Sequence, residues 1–177
     1  MIRIIAGKNK GRKIIVPDDY LITKPTKDMV REAIFSVLSF KINDAVTLDL
    51  FSGSGALSFE ALSRGAKKAY INDIDKNAIK VIKENAKNLL ETPVISNLDY
   101  KNAIENLSVK FDVVFLDPPY ALDIYNEVIS SLISKDLLNN DAVFVLESNH
   151  KLNLDEFNFT KIKEYKYGKT LVYIAWR

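Results

Sequence analysis

From residue 46 onward, the sequence alternates between short apolar segments and segments with helical periodicity. Five runs rich in Val, Ile, Leu and Phe are typical of buried strands: 46–51, 68–72, 93–97, 111–116 and 142–147. Between them, apolar residues recur at helical spacing over 56–64, 75–90, 101–107 and 124–133. Repeated β-α-β units of this kind predict an α/β fold with a parallel, doubly wound sheet.

The two ends of the chain depart from this alternation. Residues 3–6 and 13–16 are short β-prone runs separated by a lysine-bearing turn, which predicts a hairpin. Residues 27–40 carry apolar side chains at helical spacing. At the other end, 159–165 and 170–176 have the pattern of two antiparallel strands. We therefore expect two parts: a basic N-terminal hairpin and helix over 1–43, and the sheet domain over 44–177.

Composition excludes several kinds of site. The 177 residues include no cysteine and one histidine, so disulfides, thiolate zinc sites, cysteine nucleophiles and multi-histidine metal sites are excluded, and we expect no metal. No apolar run approaches the roughly 20 residues that span a bilayer, and the N-terminus is charged too early for a signal peptide. We expect a cytoplasmic monomer that does not interact with membranes.

Basic residues concentrate near the N-terminus. Residues 1–43 contain nine Lys and Arg but four Asp and Glu, a net charge of +5, whereas residues 44–177 have a net charge of −3. This distribution favours a polyanionic partner that meets the N-terminal end. Lysine-rich surface loops are common, however, and they account for the same charge without a partner.

The segment Asp117-Pro118-Pro119-Tyr120 ends the fourth apolar run. Proline has no N–H for a sheet ladder and restricts the residue before it, so the chain must form a stiff, extended turn. The turn lies at the carboxyl end of a strand, where open α/β sheets bind ligands. Its carboxylate, carbonyl and aromatic ring can hold a planar base and accept hydrogen bonds from an exocyclic amine. A rigid loop with a structural aspartate is the alternative.

A glycine loop and an acid indicate a nucleoside site beside that turn. The loop Asp49–Gly55 joins the first strand to a helix, where glycines let the backbone approach a ligand and the helix N-terminus offers N–H groups. Asp73 ends the next strand about 20 residues later, the position that binds both hydroxyls of a ribose. Glycine in such a turn also serves packing alone. Asp99, after the third strand, is either an acceptor for an adenine amine or a solvated turn residue.

These features together resemble the class I S-adenosylmethionine (SAM)-dependent methyltransferases that modify amino groups, whose motif of Asp, Ser or Asn, then Pro-Pro and an aromatic residue matches 117–120. The chain is more closely similar to the RsmD-type bacterial 16S ribosomal RNA guanine-N2 methyltransferases. That resemblance rests on segments 3–7, 11–12, 25–26, 30–35, 51–57, 60–66 and 167–170 and covers nearly the whole chain. Two departures are Lys24, where the family usually has arginine, and Asp73, where it commonly has glutamate.

The resemblance implies a Rossmann-like fold with a mostly parallel seven-stranded sheet, helices on both faces and a small N-terminal β-hairpin. It also implies methyl transfer from SAM to the exocyclic N2 amine of a guanine in 16S rRNA, presented as RNA or as an assembling small subunit. The implied residues are, for catalysis, Asp117, Pro118 and Tyr120; for the cofactor, Asp49, Phe51, Gly53, Gly55, Asp73 and Asp99; and for the RNA, Lys8, Lys10, Arg12, Lys13, Lys24 and Arg31.

Three other functions fit part of the pattern. One is an amino-methyltransferase for DNA adenine or protein glutamine; a DNA enzyme is disfavoured because no target-recognition domain is evident. A nucleotide-binding dehydrogenase is disfavoured by the proline turn and by Ser58, which replaces the third glycine of the dinucleotide fingerprint. A non-enzymatic RNA-binding module is disfavoured because Asp49, Asp73 and Asp117 are intact. The proline turn would hold an adenine amine equally well, so the choice of guanine rests on the resemblance.

Overall fold

The computed structural model describes residues 2–17, 28–119 and 122–177. In chain order these residues form strands β1 (Ile2–Arg3) and β2 (Lys13–Ile14), helix α1 (Asp28–Val37), β3 (Val46–Asp49), α2 (Ala56–Ser63), β4 (Lys68–Asn72), α3 (Lys76–Leu89), β5 (Val94–Ser96), α4 (Tyr100–Glu105), β6 (Phe111–Leu116), α5 (Tyr125–Ser134), β7 (Leu138–Ser148), β8 (Lys161–Tyr167) and β9 (Thr170–Trp176).

The strands form a two-stranded hairpin, β1-β2, and a seven-stranded sheet in the order β5-β4-β3-β6-β7-β9-β8. Strands β3 to β7 run parallel to one another, whereas β9 is antiparallel to both β7 and β8. This confirms the predicted mostly parallel seven-stranded sheet with a small N-terminal hairpin. From β3 the chain builds outward to β5 and then returns to β6 on the other side of β3. The carboxyl ends of β3 and β6 therefore flank a topological switch point, where such sheets bind ligands.

Both faces of the sheet are covered. On the face that we call the α1 face, the hairpin and helices α1 to α3 pack on one core cluster, which includes Phe115, Val145 and Val172. On the opposite α5 face, helices α4 and α5 pack on a second cluster, which includes Val114 and Leu146. Because side chains alternate along a strand, consecutive residues such as 114 and 115 enter different clusters. The apolar runs of β6 and β7 are continuous because both of their faces are buried.

The start of β7 and the end of α1 differ from the predictions. Strand β7 begins at Leu138 rather than at residue 142, because the polar run Asn139-Asn140-Asp141 belongs to the strand. Asn139 Nδ2 donates to Asp112 Oδ1 of β6 over 2.7 Å, which satisfies this polar start. Helix α1 ends at Val37 rather than near residue 40, and Phe40 is fully exposed beyond it.

The N-terminal hairpin is fixed to α2 through a buried carboxylate. Glu60 is inaccessible to solvent and accepts hydrogen bonds from Ile5 N (2.7 Å) and Ala6 N (3.0 Å). Arg64 Nε donates to the same carboxylate over 2.7 Å. The hairpin residues Ile2 and Ile4 share the core of the α1 face with the sheet. The proposed division at residues 43 and 44 stays a prediction, although the core is continuous across it.

Within the part of the chain that the structure describes, no helix combines the length and apolar character needed to cross a membrane.

Candidate active site

Three carboxyl groups meet at the carboxyl edge of the sheet. Asp49 ends β3, Asp117 follows β6, and Glu147 lies near the end of β7. In the parallel ladders Asp49 is opposite Phe115, and Leu116 is opposite Leu146, so the three acids come from neighbouring strands within two residues of one level. Glu147 was not predicted. The signal that could have identified it is an acidic residue at the end of an apolar run, on the same edge as the proline turn.

The three acids perturb one another. Burial raises the pKa of Asp49 to about 7, and the charges of Asp73 and Glu147 contribute in the same direction. Burial also raises the pKa of Asp117 well above its usual range, reinforced by the charges of Glu147 and Asp49. Carboxyl groups held this way are costly to ionise together, even though the charge of the buried Arg31 interacts with that of Glu147, and a bound cation would relieve the remaining cost. The arrangement therefore favours a positively charged ligand or a proton-accepting role.

Ser58 orients Asp49 from helix α2. Its Oγ donates to Asp49 Oδ2 over 2.9 Å, and both side chains are buried. This hydrogen bond opposes the burial that raises the pKa of Asp49. Glycine, which the dinucleotide fingerprint places at this position, has no side chain to donate. The departure from the fingerprint thus supplies a contact to an acid of the site.

The glycine loop and Asp73 are in direct contact. Gly53 N donates to Asp73 Oδ2 over 2.7 Å, and Asp75 N donates to Asp73 Oδ1 over 2.9 Å. Burial raises the pKa of Asp73, and these backbone hydrogen bonds oppose it. Gly55 has a φ of +77°, and a Cβ there would lie 2.7 Å from the Phe59 ring, so this position requires glycine. The structure therefore brings the predicted loop and ribose acid together at one end of the sheet.

Asn72 ties the strand ends around this loop. Its Nδ2 donates to the carbonyls of Leu50 (3.2 Å) and Leu98 (2.9 Å), and its Oδ1 accepts from Ser96 Oγ (2.8 Å). One buried amide thus links the ends of β3, β4 and β5. Asn72 was not predicted, because an asparagine beside Asp73 has no distinctive pattern in sequence.

The other two residues predicted to bind the cofactor, Phe51 and Asp99, follow the ends of β3 and β5. The Phe51 ring packs against the Tyr100 ring, with centroids 5.8 Å apart. Asp99 is half-buried and is the N-cap of α4, where it accepts from the backbone N–H groups of Lys101 and Asn102. These bonds, with one from the Asn102 side chain, lower the pKa of Asp99. A contact between Asp99 and an adenine amine stays a prediction.

The two prolines of the proline turn differ in exposure and in the hydrogen bonds that their carbonyls accept from the described residues. Pro118 is buried and Pro119 is exposed, and Leu122 N donates to the Pro119 carbonyl over 2.8 Å. No donor in residues 2–17, 28–119 and 122–177 is hydrogen-bonded to the Pro118 carbonyl. Tyr120, predicted to stack on the target base, lies outside the described residues.

The predicted RNA-contacting residues are not equivalent. Lys10 and Lys13 are exposed, whereas Lys8 pairs with Glu91 at 3.1 Å and Arg12 Nη1 donates to Asn9 Oδ1 over 3.0 Å. Lys24 lies outside the described residues.

Arg31 requires a correction. Its side chain is fully buried, and Nη2 donates to the Arg3 carbonyl over 2.6 Å and to Asp28 over 3.0 Å. A guanidinium held inside the fold does not present itself to RNA phosphates. The prediction that Arg31 contacts RNA is therefore wrong for this structure, in which Arg31 holds the hairpin against α1.

The basic turn of the hairpin lies away from the carboxyl edge. Lys8 N donates to the Ser63 carbonyl (2.8 Å) and Asn9 N to Ser63 Oγ (2.9 Å), at the C-terminal end of α2. Helix α2 begins at the glycine loop and is eight residues long, or about 12 Å. Lys10 and the proline turn therefore lie in different parts of the molecule.

A cavity of about 220 Å³ lies elsewhere, beneath α4 on the α5 face. Its walls are mostly apolar and include Leu48, Tyr70 and Leu107. Leu48 points to the α5 face, whereas its neighbour Asp49 points to the opposite face. The cavity is therefore not the carboxyl site.

Among the described residues, no group of three or more His, Asp or Glu side chains is arranged to hold a metal ion.

Comparison with known proteins identifies the family. The family model described as Conserved hypothetical protein 95 matches residues 2–176. Ribosomal RNA small subunit methyltransferase D of Haemophilus influenzae is 37% identical over 174 residues, which cover 94% of this chain and 89% of that protein. The protein of the same name from Escherichia coli strain K12 is 36% identical over 148 residues, covering 83% and 74%.

A solved structure named "Putative methyltransferase yhhF" from Escherichia coli has a TM-score of 0.88 at 31% identity and covers 99% of this chain and 97% of that one. By contrast, a "Putative protein N5-glutamine methyltransferase" of Methanocaldococcus jannaschii is 37% identical over 87 residues only, 49% of this chain and 43% of that protein. The match over nearly the whole length is with the first group. The chain belongs to the family described as Conserved hypothetical protein 95, the RsmD family of methyltransferases.

Proposed function

We propose that this protein transfers a methyl group from SAM to the exocyclic N2 amine of a guanine in 16S ribosomal RNA. The observation that carries the proposal is the proline turn at the switch point of the sheet, beside buried acids, in a chain that matches small-subunit rRNA methyltransferases over most of its length. The choice of guanine N2 follows the resemblance to RsmD-type enzymes. Because its proposed substrate is ribosomal RNA, we expect this protein in the cytoplasm.

The residues at the carboxyl edge fit the methyl donor. When bound, SAM supplies an electrophilic methyl group on a positively charged sulfur. Asp73, held beside Gly53, would accept hydrogen bonds from the hydroxyls of a ribose. The backbone of the glycine loop permits close approach of the donor. Burial raises the pKa of Asp117, the charges of Glu147 and Asp49 raise it further, and a bound cation would oppose that rise.

The proline turn fits the target amine. The N2 amine of guanine is a poor nucleophile because its lone pair is delocalised into the ring. Asp117 and the Pro118 carbonyl would each accept one of its hydrogens, which favours a tetrahedral nitrogen with its lone pair directed at the methyl carbon. As the nitrogen–carbon bond forms and the carbon–sulfur bond breaks, the nitrogen loses one proton, and Asp117 would accept it. A raised pKa suits such an acceptor.

Positioning supplies much of the remaining acceleration, because the two reactants are held in one site. A base in a duplex must leave the stack to reach Asp117. Tyr120 would then stack on the extruded base; such stacking contributes ~1–3 kcal/mol in single-strand binders. This role of Tyr120 stays a prediction.

The product identifies the reaction. The protein is incubated with methyl-labelled SAM and small ribosomal subunits that lack methylation, and the RNA is digested to nucleosides for mass spectrometry. We expect label in N2-methylguanosine from 16S rRNA. Label in N6-methyladenosine would correct the target base, and label in protein glutamine without label in RNA would overturn the proposal.

A further inference from the structure

Strand β8 lies at the outer edge of the sheet and has no role in the site described above. Its side chains alternate between the two faces. Tyr165 and Tyr167 pack against the core of the α1 face, and Lys161 Nζ lies 5.4 Å from the centroid of the Trp176 ring, which packs on the same core. Lys163 is opposite Ile174, another member of that core. We call Lys161, Lys163, Tyr165 and Tyr167 the β8 platform.

The β8 platform is basic and aromatic. Its lysines are exposed and its tyrosines are half-buried. The acidic residue of the strand, Glu164, is opposite Tyr173 and therefore lies on the other face of the sheet. The alternation thus places two lysines and two tyrosines on one side of β8 and its carboxylate on the other. Exposed lysines next to aromatic rings are typical of surfaces that bind single-stranded nucleic acid.

The ladder registers connect the β8 platform to the catalytic turn. Leu116 is opposite Leu146, which puts Asp117 level with Glu147. Glu147 is opposite Val172, and Val172 is opposite Tyr165. Asp117, Glu147, Val172 and Tyr165 therefore form one row across four neighbouring strands. At about 4.8 Å between strands, Tyr165 lies roughly 14 Å from Asp117 along the sheet.

We propose that the β8 platform binds the single-stranded RNA that flanks the target base. The proposal rests on the proposed function, because it requires an RNA substrate at Asp117. Lys163 would contact a phosphate and Tyr165 would stack on a base, as aromatic residues on sheet surfaces do in RNA-binding modules. Lysines on an edge strand also prevent edge-to-edge pairing of sheets, but that role depends neither on the face of the strand nor on the tyrosine rings.

Two matched pairs of variants test the proposal. Lys163→Gln and Lys166→Gln each remove one charge from β8, on the platform face and on the opposite face respectively. Tyr165→Ala removes a ring that Tyr165→Phe retains. Affinity for a 16S rRNA fragment is measured at several salt concentrations, together with the KM for that fragment at saturating SAM. Thermal unfolding and calorimetric SAM binding verify the fold of each variant.

We expect Lys163→Gln to weaken RNA binding several-fold and to lower the slope of log K against log salt by roughly 0.7–0.9, the value for one lost phosphate contact. Tyr165→Ala should weaken binding at least about fivefold, the equivalent of the smallest stacking contribution. Lys166→Gln and Tyr165→Phe should behave as the wild type.

The outcomes separate the two proposals. If the wild type neither binds nor methylates RNA, the proposed function fails. If the wild type is active and Lys163→Gln binds RNA as tightly as Lys166→Gln, the proposed RNA-binding role of the β8 platform is wrong and the proposed function stands. Equal losses of RNA affinity in the two lysine variants would also overturn this role, as would aggregation of Lys163→Gln with unchanged RNA affinity.

Discussion

Replacing Gly7 with alanine should detach the N-terminal hairpin from α2, whereas the same change at Gly11 should not. The two glycines lie in one turn with nearly the same backbone conformation, φ +82° and +80°. A Cβ on Gly7 would lie 1.8 Å from the Ser63 carbonyl oxygen, whereas a Cβ on Gly11 has no neighbour within 4 Å. Gly11→Ala is therefore a matched control for backbone strain.

The structure gives the size of the difference. Both variants bear the cost of alanine in a left-handed conformation, about 1–2 kcal/mol. Gly7→Ala must also displace the hairpin from the hydrogen bonds that Ile5 N and Ala6 N donate to Glu60 and that Lys8 N and Asn9 N donate to Ser63. Bonds to a charged group contribute about 1.5–3 kcal/mol and neutral bonds about 1 kcal/mol each. Loss of about half of this set corresponds to ~3 kcal/mol.

Chemical denaturation measures the free energy of unfolding, and amide hydrogen exchange locates the change. Gly7→Ala should lose ~3 kcal/mol more than Gly11→Ala, with faster exchange at residues 5, 6, 8 and 9. Equal losses in the two variants, or unchanged protection of these amides in Gly7→Ala, would refute the docking that the structure shows.

Two further predictions concern charge. In the absence of a cofactor, Asp49→Asn should raise the free energy of unfolding at pH 8 but not at pH 4. The reason is the cost of ionising Asp49, which is absent below its ordinary pKa of 3.8 and grows as the pH rises toward the pKa of about 7 in the folded protein. The difference between the two pKa values sets an upper limit of about 4 kcal/mol on this gain, at ~1.4 kcal/mol per pKa unit. Urea unfolding measures the gain at both pH values, and an equal gain at pH 4 and pH 8 would contradict the prediction. The second prediction concerns the salt dependence of RNA binding. The double variant Lys10→Gln with Lys13→Gln should flatten it more than Lys8→Gln with Arg12→Gln, because Lys8 and Arg12 already have protein partners. The reverse order in a salt titration would contradict this prediction.

The sheet was predictable because burial on both faces forces continuous apolar runs. The runs over 111–116 and 142–147 identified β6 and the centre of β7. The polar start of β7 was not predictable, because Asn139 is satisfied by Asp112, a partner 27 residues away. Apolar patterns indicate which residues are buried, whereas strand ends depend on such distant hydrogen bonds.

Buried charges were the least predictable feature. Glu60 and Arg64 are four residues apart, a spacing at which opposite charges pair on a helix, and they form an ion pair. Nothing in that spacing shows that Glu60 is buried and binds the backbone of residues 5 and 6, over 50 positions away. Arg31 was predicted to contact RNA with the other basic residues near the N-terminus, and nothing in the sequence indicates that its side chain is buried. Its partner, the Arg3 carbonyl, is 28 positions away.

The candidate site was predictable in part because strand ends in a parallel sheet share one edge. Asp73 and Asp117 follow apolar runs and Asp49 lies near the end of one, and the structure places all three at that edge. Glu147 meets the same criterion and was overlooked, since it has no motif around it. The strand order was needed to see that Glu147 is level with Asp117.

The role of Asp117 in methyl transfer is the central claim, and single-turnover kinetics with Asp117→Ala test it directly. The rate of methyl transfer to 16S rRNA is measured at saturating SAM, with SAM affinity measured separately by calorimetry. Removal of a positioned proton acceptor predicts a fall of about 10²–10⁴-fold in rate, with SAM binding retained. Because ionising the half-buried Asp117 beside Glu147 and Asp49 is unfavourable, the variant should remain folded. Transfer at a near-normal rate by Asp117→Ala would contradict the account.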